Sequence, residues 1–314
     1  MDDPTDELAA LIARGMGVIR PKRLHAGAEA VAYELDDARV LKVYHADASA
    51  ERFATIASFY ARLNSDRAGF AVPRILTHGV ESGRSYSVEK RLLGEPLSTR
   101  AHFLTDTDLI DAYLAAALRV GRIQVEPEWN SWTMFGEQRN GDWHQHVRSQ
   151  IENQSSALAR TLPPPYWDRL ANATADVCRH FDQPFRGKVC LIHGDFHPGN
   201  VLVSATGRVL SLVDFGAFTA FGDPAFDVAT ACGYFSMYEP DQAITRQNLV
   251  SRLLRMEGSP PGALVAMYLK LAAFLTCTAY PDDRVAVQET GHFKWAMSVL
   301  FDPMLDELVD WAPK

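Results

Sequence analysis

The chain has 314 residues, 47% of them apolar and 22% charged, an ordinary globular composition that excludes a disordered, collagen-like or coiled-coil protein. The 39 Asp and Glu outnumber the 31 Lys and Arg for a formal charge of −8, which argues against a nucleic-acid partner, since phosphate backbones are met by a basic surplus. Four cysteines, at 178, 190, 232 and 277, form no C-x-x-C pair and read as free thiols of a reducing compartment rather than a disulfide frame or a zinc site.

The N-terminal run MDDPTDELAALIARGMG is acidic, whereas a secretory leader carries positive charge ahead of its apolar stretch. From about residue 23 to 92 short β-like runs dominate. Val31–Leu35 and Val40–Tyr44 flank the turn-prone pair Asp36-Asp37, and Arg74–Leu76 and Ser85–Val88 flank a hairpin turn at Glu81-Ser-Gly-Arg84. Between these pairs, apolar residues at 53, 56, 57, 60 and 63 keep helical spacing. Beyond Gly94-Glu-Pro96 the texture turns helical: Leu109, Tyr113, Leu114 and Ala117 share one face, and Trp167, Leu170, Val177 and Phe181 another. Short apolar strands follow at 189–192, 201–203 and 209–213, and the remainder reads as helices. Gly262–Tyr280 approaches the length of a membrane span, but it holds Lys270 and lies between Pro261 and Pro281, so a buried helix is expected. A soluble, cytoplasmic α+β protein is predicted, with a small β-rich lobe over 1–92 and a larger, mainly helical lobe over 93–314.

The informative stretch is Leu191-Ile-His193-Gly-Asp195-Phe-His197-Pro-Gly-Asn200-Val-Leu-Val203, a polar knot clamped between two apolar strands. Fourteen residues after Asn200, Asp214 ends another apolar strand in Val-Asp-Phe-Gly. Carboxylates beside apolar strands need a cation or a substrate to offset their burial. The oxygen set of Asp195, Asn200 and Asp214 suits Mg²⁺ bridged to phosphates. The alternation His193-x-Asp195-x-His197 also admits a Zn²⁺ or Fe²⁺ site, although Pro198-Gly199 breaks the strand it would need.

HGDFHPGN and VDFG resemble the H-x-D-x-x-x-x-N loop and the D-F-G metal motif of the aminoglycoside phosphotransferase and choline kinase family, relatives of the protein kinases. The resemblance runs from about residue 23 to about residue 300 and implies a protein-kinase-like two-lobed fold. It makes Asp195 the base for an acceptor hydroxyl and Asn200 and Asp214 ligands of Mg²⁺. It also puts Lys42 on the phosphates of ATP, with GTP not excluded, and pairs that lysine with Glu51, the only glutamate between Lys42 and Val80. The loop around Gly27 would cover the phosphates, with Glu29 pointing away, and the backbone of Lys90, Arg91 and Leu92 would meet the base. Glu89 reads as structural. Asp227, in a G-D-P-x-x-D signature, braces the catalytic loop, with His193 and His197 in the same supporting shell. Gly194 stands where protein kinases commonly carry Arg, and six residues separate Gly216 from Asp223, so a small-molecule kinase assembled without phosphorylation is expected.

The acceptor is less legible. Trp129, Trp132 and Trp143, beside Glu126, Glu128, Glu137 and Asp142, form either a face for a polyhydroxylated or amine-bearing alcohol or part of the core. Trp295, with Asp302, Asp306, Glu307 and Asp310, presents the same choice. An aminoglycoside or other antibiotic is the leading acceptor. A metabolic kinase of choline, a sugar, homoserine or a nucleoside is the alternative, and a nucleotide-binding pseudokinase the alternative of another class.

Overall fold

The computed structural model describes residues 4–26, 30–45, 50–136, 138–278 and 285–310. Helix α1 (Pro4–Gly15) precedes strands β1 (Lys22–Ala26), β2 (Ala30–Glu34) and β3 (Arg39–Tyr44). Helix α2 (Ala50–Ala61) and a two-residue strand β4 (Leu63–Asn64) separate these from β5 (Ile75–Glu81) and β6 (Arg84–Lys90). The antiparallel sheet has the order β1-β2-β3-β6-β5. The Asp36 carboxylate accepts from Ala38 N at 2.9 Å, which closes the β2–β3 turn as an Asx turn. Alternation turns Val31 and Tyr33 of β2 and Leu41 and Val43 of β3 toward α1, where Leu8, Ala9, Ile12 and Ala13 complete a small separate core.

Although α2 lies within the small lobe by sequence, its apolar face is rooted in the large one. Ile56, Phe59 and Tyr60 belong to the larger core, Phe59 meets Phe215 and Phe221 at ring distances of 6.2 and 6.3 Å, and the Tyr60 hydroxyl donates to Phe215 O at 3.0 Å. Strand β4 then pairs with β8 (Gln124–Val125) of the large lobe.

The crossing between lobes is fixed by β7 (Glu95–Pro96), which pairs with β10 (Val201–Val203). Gly94 just before it has φ 106°, and a Cβ there would lie 3.0 Å from Leu202 Cβ and from the Val203 backbone, a close approach that favours glycine. Helix α3 (Thr107–Val120) starts at Asp106, whose side chain accepts from Asp108 N and Leu109 N. Helices α4 (Trp143–Thr161) and α5 (Trp167–His180) follow, then β9 (Cys190–Ile192), β10, β11 (Val209–Leu212) and β12 (Ala220–Gly222). The last is antiparallel to β9.

Helices α6 (Ala225–Tyr234), α7 (Gln242–Leu253), α8 (Gly262–Thr276), α9 (Gly291–Leu300) and α10 (Pro303–Asp310) complete the lobe. Helix α8 is buried from Val265 to Phe274, and each large apolar side chain so buried is worth about 1.5–3 kcal/mol. Lys270 in its middle is satisfied by an ion pair with Asp306 of α10. Among the described residues, no helix is long and apolar enough to cross a membrane.

Candidate active site

The loop from His193 to Asn200 is held at both ends and from beneath. Asp227, fully buried at the start of α6, accepts from His193 N at 2.7 Å and Gly194 N at 2.9 Å. The Tyr113 hydroxyl of α3 donates to Phe196 O and Ala231 O. His193 is also fully buried; its Nε2 lies 2.7 Å from Val213 O and its Nδ1 accepts from Asp195 N at 3.2 Å. One imidazole thus ties the loop to the strand leading to Asp214, and burial lowers its pKa and keeps it neutral. Its two ring nitrogens are spent within the protein. His197 Nδ1 likewise accepts from Gly199 N, and among the described residues no group of three or more His, Cys, Asp or Glu is arranged to hold a metal. With both His193 nitrogens engaged, the His-x-Asp-x-His alternation does not present that histidine to a Zn²⁺ or Fe²⁺ ion.

Gly194 adopts φ +82°, and a Cβ there would meet Phe218 O at 1.9 Å. The position that protein kinases commonly give to Arg has room here only for hydrogen. Asp195 is half-exposed, with His197 Nε2 at 3.8 Å from its Oδ2. Asn200, nearly buried, donates from Nδ2 to Asp195 O at 2.9 Å, which leaves its amide oxygen for a cation. Val213 N donates to Asn200 O at 3.0 Å, so Asn200 and Asp214 stand beside one backbone junction. Asp214 has φ +61°, a left-handed conformation that costs a non-glycine residue energy and that is concentrated at functional sites.

Across the cleft, Lys42 on β3 places Nζ 2.7 Å from Asp214 Oδ1 and 3.6 Å from Glu89 Oε2. Burial disfavours the ammonium, but the two carboxylates outweigh it and raise the Lys42 pKa; the same lysine holds the Asp214 carboxyl below its ordinary range. Lys42 of the sheet thus meets Asp214 beside the loop that carries Asp195 and Asn200. The oxygen donors fit a hard cation such as Mg²⁺ that keeps further sites for water and phosphate.

The nucleotide-binding expectations fare differently. Glu51 is exposed on α2, and among the described residues the ion pairs of Lys42 run to Glu89 and Asp214 instead. Gly27 and Glu29 lie outside the described residues. At the hinge, the amides of Lys90 and Arg91 already donate to Arg74 O and Ala38 O at 2.8 Å, so among the described residues the Leu92 amide is the one left for a ligand.

Of the tryptophans, Trp143 and Trp295 are consumed by packing, whereas the buried Trp129 indole N–H has no hydrogen-bond partner among the described residues. Trp295 is 1% exposed and donates to Gly233 O at 3.0 Å, and buried Trp143 donates to the Tyr268 hydroxyl at 3.0 Å. Trp132 stacks on His146, while Trp129 meets Phe59 edge-on and carries the Arg62 guanidinium over its ring. Their neighbouring acids are occupied as well. Asp142 forms the capping box of α4 with Gln145, Glu128 pairs with Arg139, and Asp302 and Asp306 pair with Arg246 and Lys270. Glu126 and Glu307 are exposed, Glu137 lies outside the described residues, and nothing is described of the Asp310 side chain.

Sequence reasoning missed two residues that lie within the electrostatic reach of Asp195. The Tyr238 hydroxyl lies 2.9 Å from His292 Nε2. Burial acts first on both groups, raising the tyrosine pKa and lowering that of the histidine, and both also feel the Asp195 charge.

No curated protein matches the sequence. Among solved structures, a thermostable mutant of the aminoglycoside phosphotransferase APH(4)-Ia, in ternary complex with ADP and hygromycin B, superposes with a TM-score of 0.69. It has 17% identity and covers 99% of this chain and 100% of that one. The gentamicin complex of APH(2")-IIa gives a TM-score of 0.55 at 13% identity over 98% and 99%. The profile of the phosphotransferase enzyme family (APH) matches residues 21–263. A kinase-like fold, a cleft joining Lys42 to Asp214 and a profile spanning both lobes lead to one conclusion: the chain belongs to the phosphotransferase enzyme family and is a phosphotransferase with an alcohol group as acceptor.

Proposed function

We propose that the enzyme transfers the γ-phosphoryl group of ATP, with Mg²⁺, to a hydroxyl of a small molecule, and that the acceptor is an aminoglycoside or a related antibiotic alcohol. The observation that carries the reading is the 2.7 Å contact between Lys42 and Asp214, residues 172 apart in sequence. It brings together the cation that would grip the phosphates and the carboxylate that would hold the metal. The cation–nucleotide complex supplies charge neutralisation at the transferred group. Asp214 and the Asn200 oxygen would hold the metal, and Lys42 would turn to the phosphate oxygens.

The loose transition state of phosphoryl transfer calls for positioning more than covalent help. Asp195, oriented by His193 and Asn200, would align the acceptor hydroxyl and take its proton late in the reaction. Tyr238 and His292 would meet the acceptor's other polar groups. The aminoglycoside reading is supported by the solved relatives described with hygromycin B and gentamicin.

A coupled ADP-release assay tests the proposal across aminoglycosides, choline, homoserine, sugars and nucleosides. Release is expected to depend on the acceptor, and Asp195→Ala is expected to lower turnover by ~10²–10⁴-fold. Equal turnover of the wild type and Asp195→Ala would defeat the assignment of the base. A preference for choline, a sugar, homoserine or a nucleoside would replace the antibiotic reading with a metabolic one. Nucleotide binding without turnover on any acceptor would favour the pseudokinase.

A further inference from the structure

Lys42 and Glu89 stand on adjacent strands of one sheet. The β3–β6 register sets Lys42 opposite Ser87 and Val40 opposite Glu89, so Lys42 and Glu89 are diagonal neighbours on the same face. Glu89 is 5% exposed. Its Oε1 accepts from Ser87 Oγ at 3.0 Å, which orients the carboxylate and leaves Oε2 facing the lysine at 3.6 Å. A buried carboxylate needs such partners, because an unpaired one carries a large desolvation cost.

The helix is differently placed. Glu51 is exposed in the first turn of α2, whose apolar face is anchored in the large lobe through Phe59 and Tyr60. A carboxylate on β6 travels with the lysine.

We propose that Glu89 is the positioning carboxylate for the Lys42 ammonium, the part that the family resemblance gave to Glu51, and that the phosphate grip is thereby built into the sheet. This rests on the kinase reading of the site. Asp214 shares the lysine only until it turns to a metal; Glu89 then remains as the counter-ion that holds Nζ toward the phosphates.

The test is calorimetric titration of the full-length protein with Mg·AMP-PNP, using Glu89→Gln, Glu51→Gln, Lys42→Ala and the double variant Lys42→Ala/Glu89→Gln. Loss of a charge-assisted contact predicts ~10–100-fold weaker binding by Glu89→Gln, and Glu51→Gln stays within about twofold of the wild type. In the Lys42→Ala background the Glu89→Gln change costs no further affinity, because Glu89 acts through the lysine. Equal losses in both backgrounds would show a merely structural glutamate and overturn the inference, as would unchanged binding by Glu89→Gln. Weakened binding by Glu51→Gln also overturns it, a result that stands even if Glu89→Gln does not fold. A wild type that binds no Mg·AMP-PNP overturns the kinase reading together with this inference, whereas a wild type that binds confines any failure to Glu89.

Discussion

Asp227 makes the stability of the catalytic loop sensitive to pH, and replacing it by Asn isolates the effect. Burial pushes its carboxyl up from the ordinary 3.8 to about 7, against the two backbone N–H groups of Gly194 and His193 that favour the anion. The folded state therefore keeps this proton to a higher pH than the unfolded chain does, so acid favours folding at this site. The contribution is complete below about pH 4 and is lost as pH rises to about 7. At ~1.4 kcal/mol per decade of proton affinity, the interval from 3.8 to about 7 amounts to about 4 kcal/mol. Asparagine does not titrate, and its amide nitrogen leaves one of the two backbone N–H groups without an acceptor, a cost that does not vary with pH. Guanidinium unfolding of the wild type and Asp227→Asn, followed by tryptophan fluorescence from about pH 4 to about pH 8, measures the difference. The wild type is expected to lose up to about 4 kcal/mol relative to the variant over that range. A difference that stays constant, or that grows in favour of the wild type as pH rises, refutes the reasoning.

Three further outcomes are expected. Gly194→Ala combines a positive φ with a Cβ 1.9 Å from Phe218 O, so at least about 3 kcal/mol of stability is lost; a melting temperature equal to that of the wild type would contradict this. Arg246→Ala strands Asp302, since the pair is 1% and 3% exposed with N and O at 2.7 Å. Chemical denaturation should show a loss of about 3–5 kcal/mol, and a loss under about 1 kcal/mol would mean that the anion finds another partner. Asn200→Ala should need more Mg²⁺ for transfer and recover in part with excess metal, whereas Asp214→Ala should not recover; Mg²⁺ titrations in the ADP-release assay separate the two.

What the sequence made legible was local. Apolar runs on either side of His193–Asn200 mark β9 and β10 because burial on both faces leaves an uninterrupted apolar signature. The Glu81–Arg84 turn marks the β5–β6 hairpin through its glycine. The α4 helix was hidden because the Trp-rich segment ahead of it reads as loop, and only the Asp142–Gln145 capping box marks the start. Glu89 and Glu51 are indistinguishable as letters; what separates them is that one strand is buried against Lys42 while the helix turns its first residues to solvent. The tryptophans are ambiguous as letters for a related reason, since an indole beside acids looks the same whether its N–H meets a ligand or, as with Trp295, the carbonyl of Gly233. Tyr238 and His292 carry no spacing signal at all, for they meet only when α9 packs beside the end of α6.

The stretch from Gly216 to Asp223 has a consequence for how a cell would govern this catalyst. Thr219 is its only hydroxyl-bearing residue, and it is fully buried. Its Oγ1 accepts from Gly216 N and donates to His193 O, and Ala220 then enters the ladder with Ile192. A modifying enzyme would have to unpick that ladder before reaching the oxygen, by which time the loop carrying Asp195 would be undone as well. The segment therefore offers no accessible hydroxyl at which a covalent modification could throttle the enzyme.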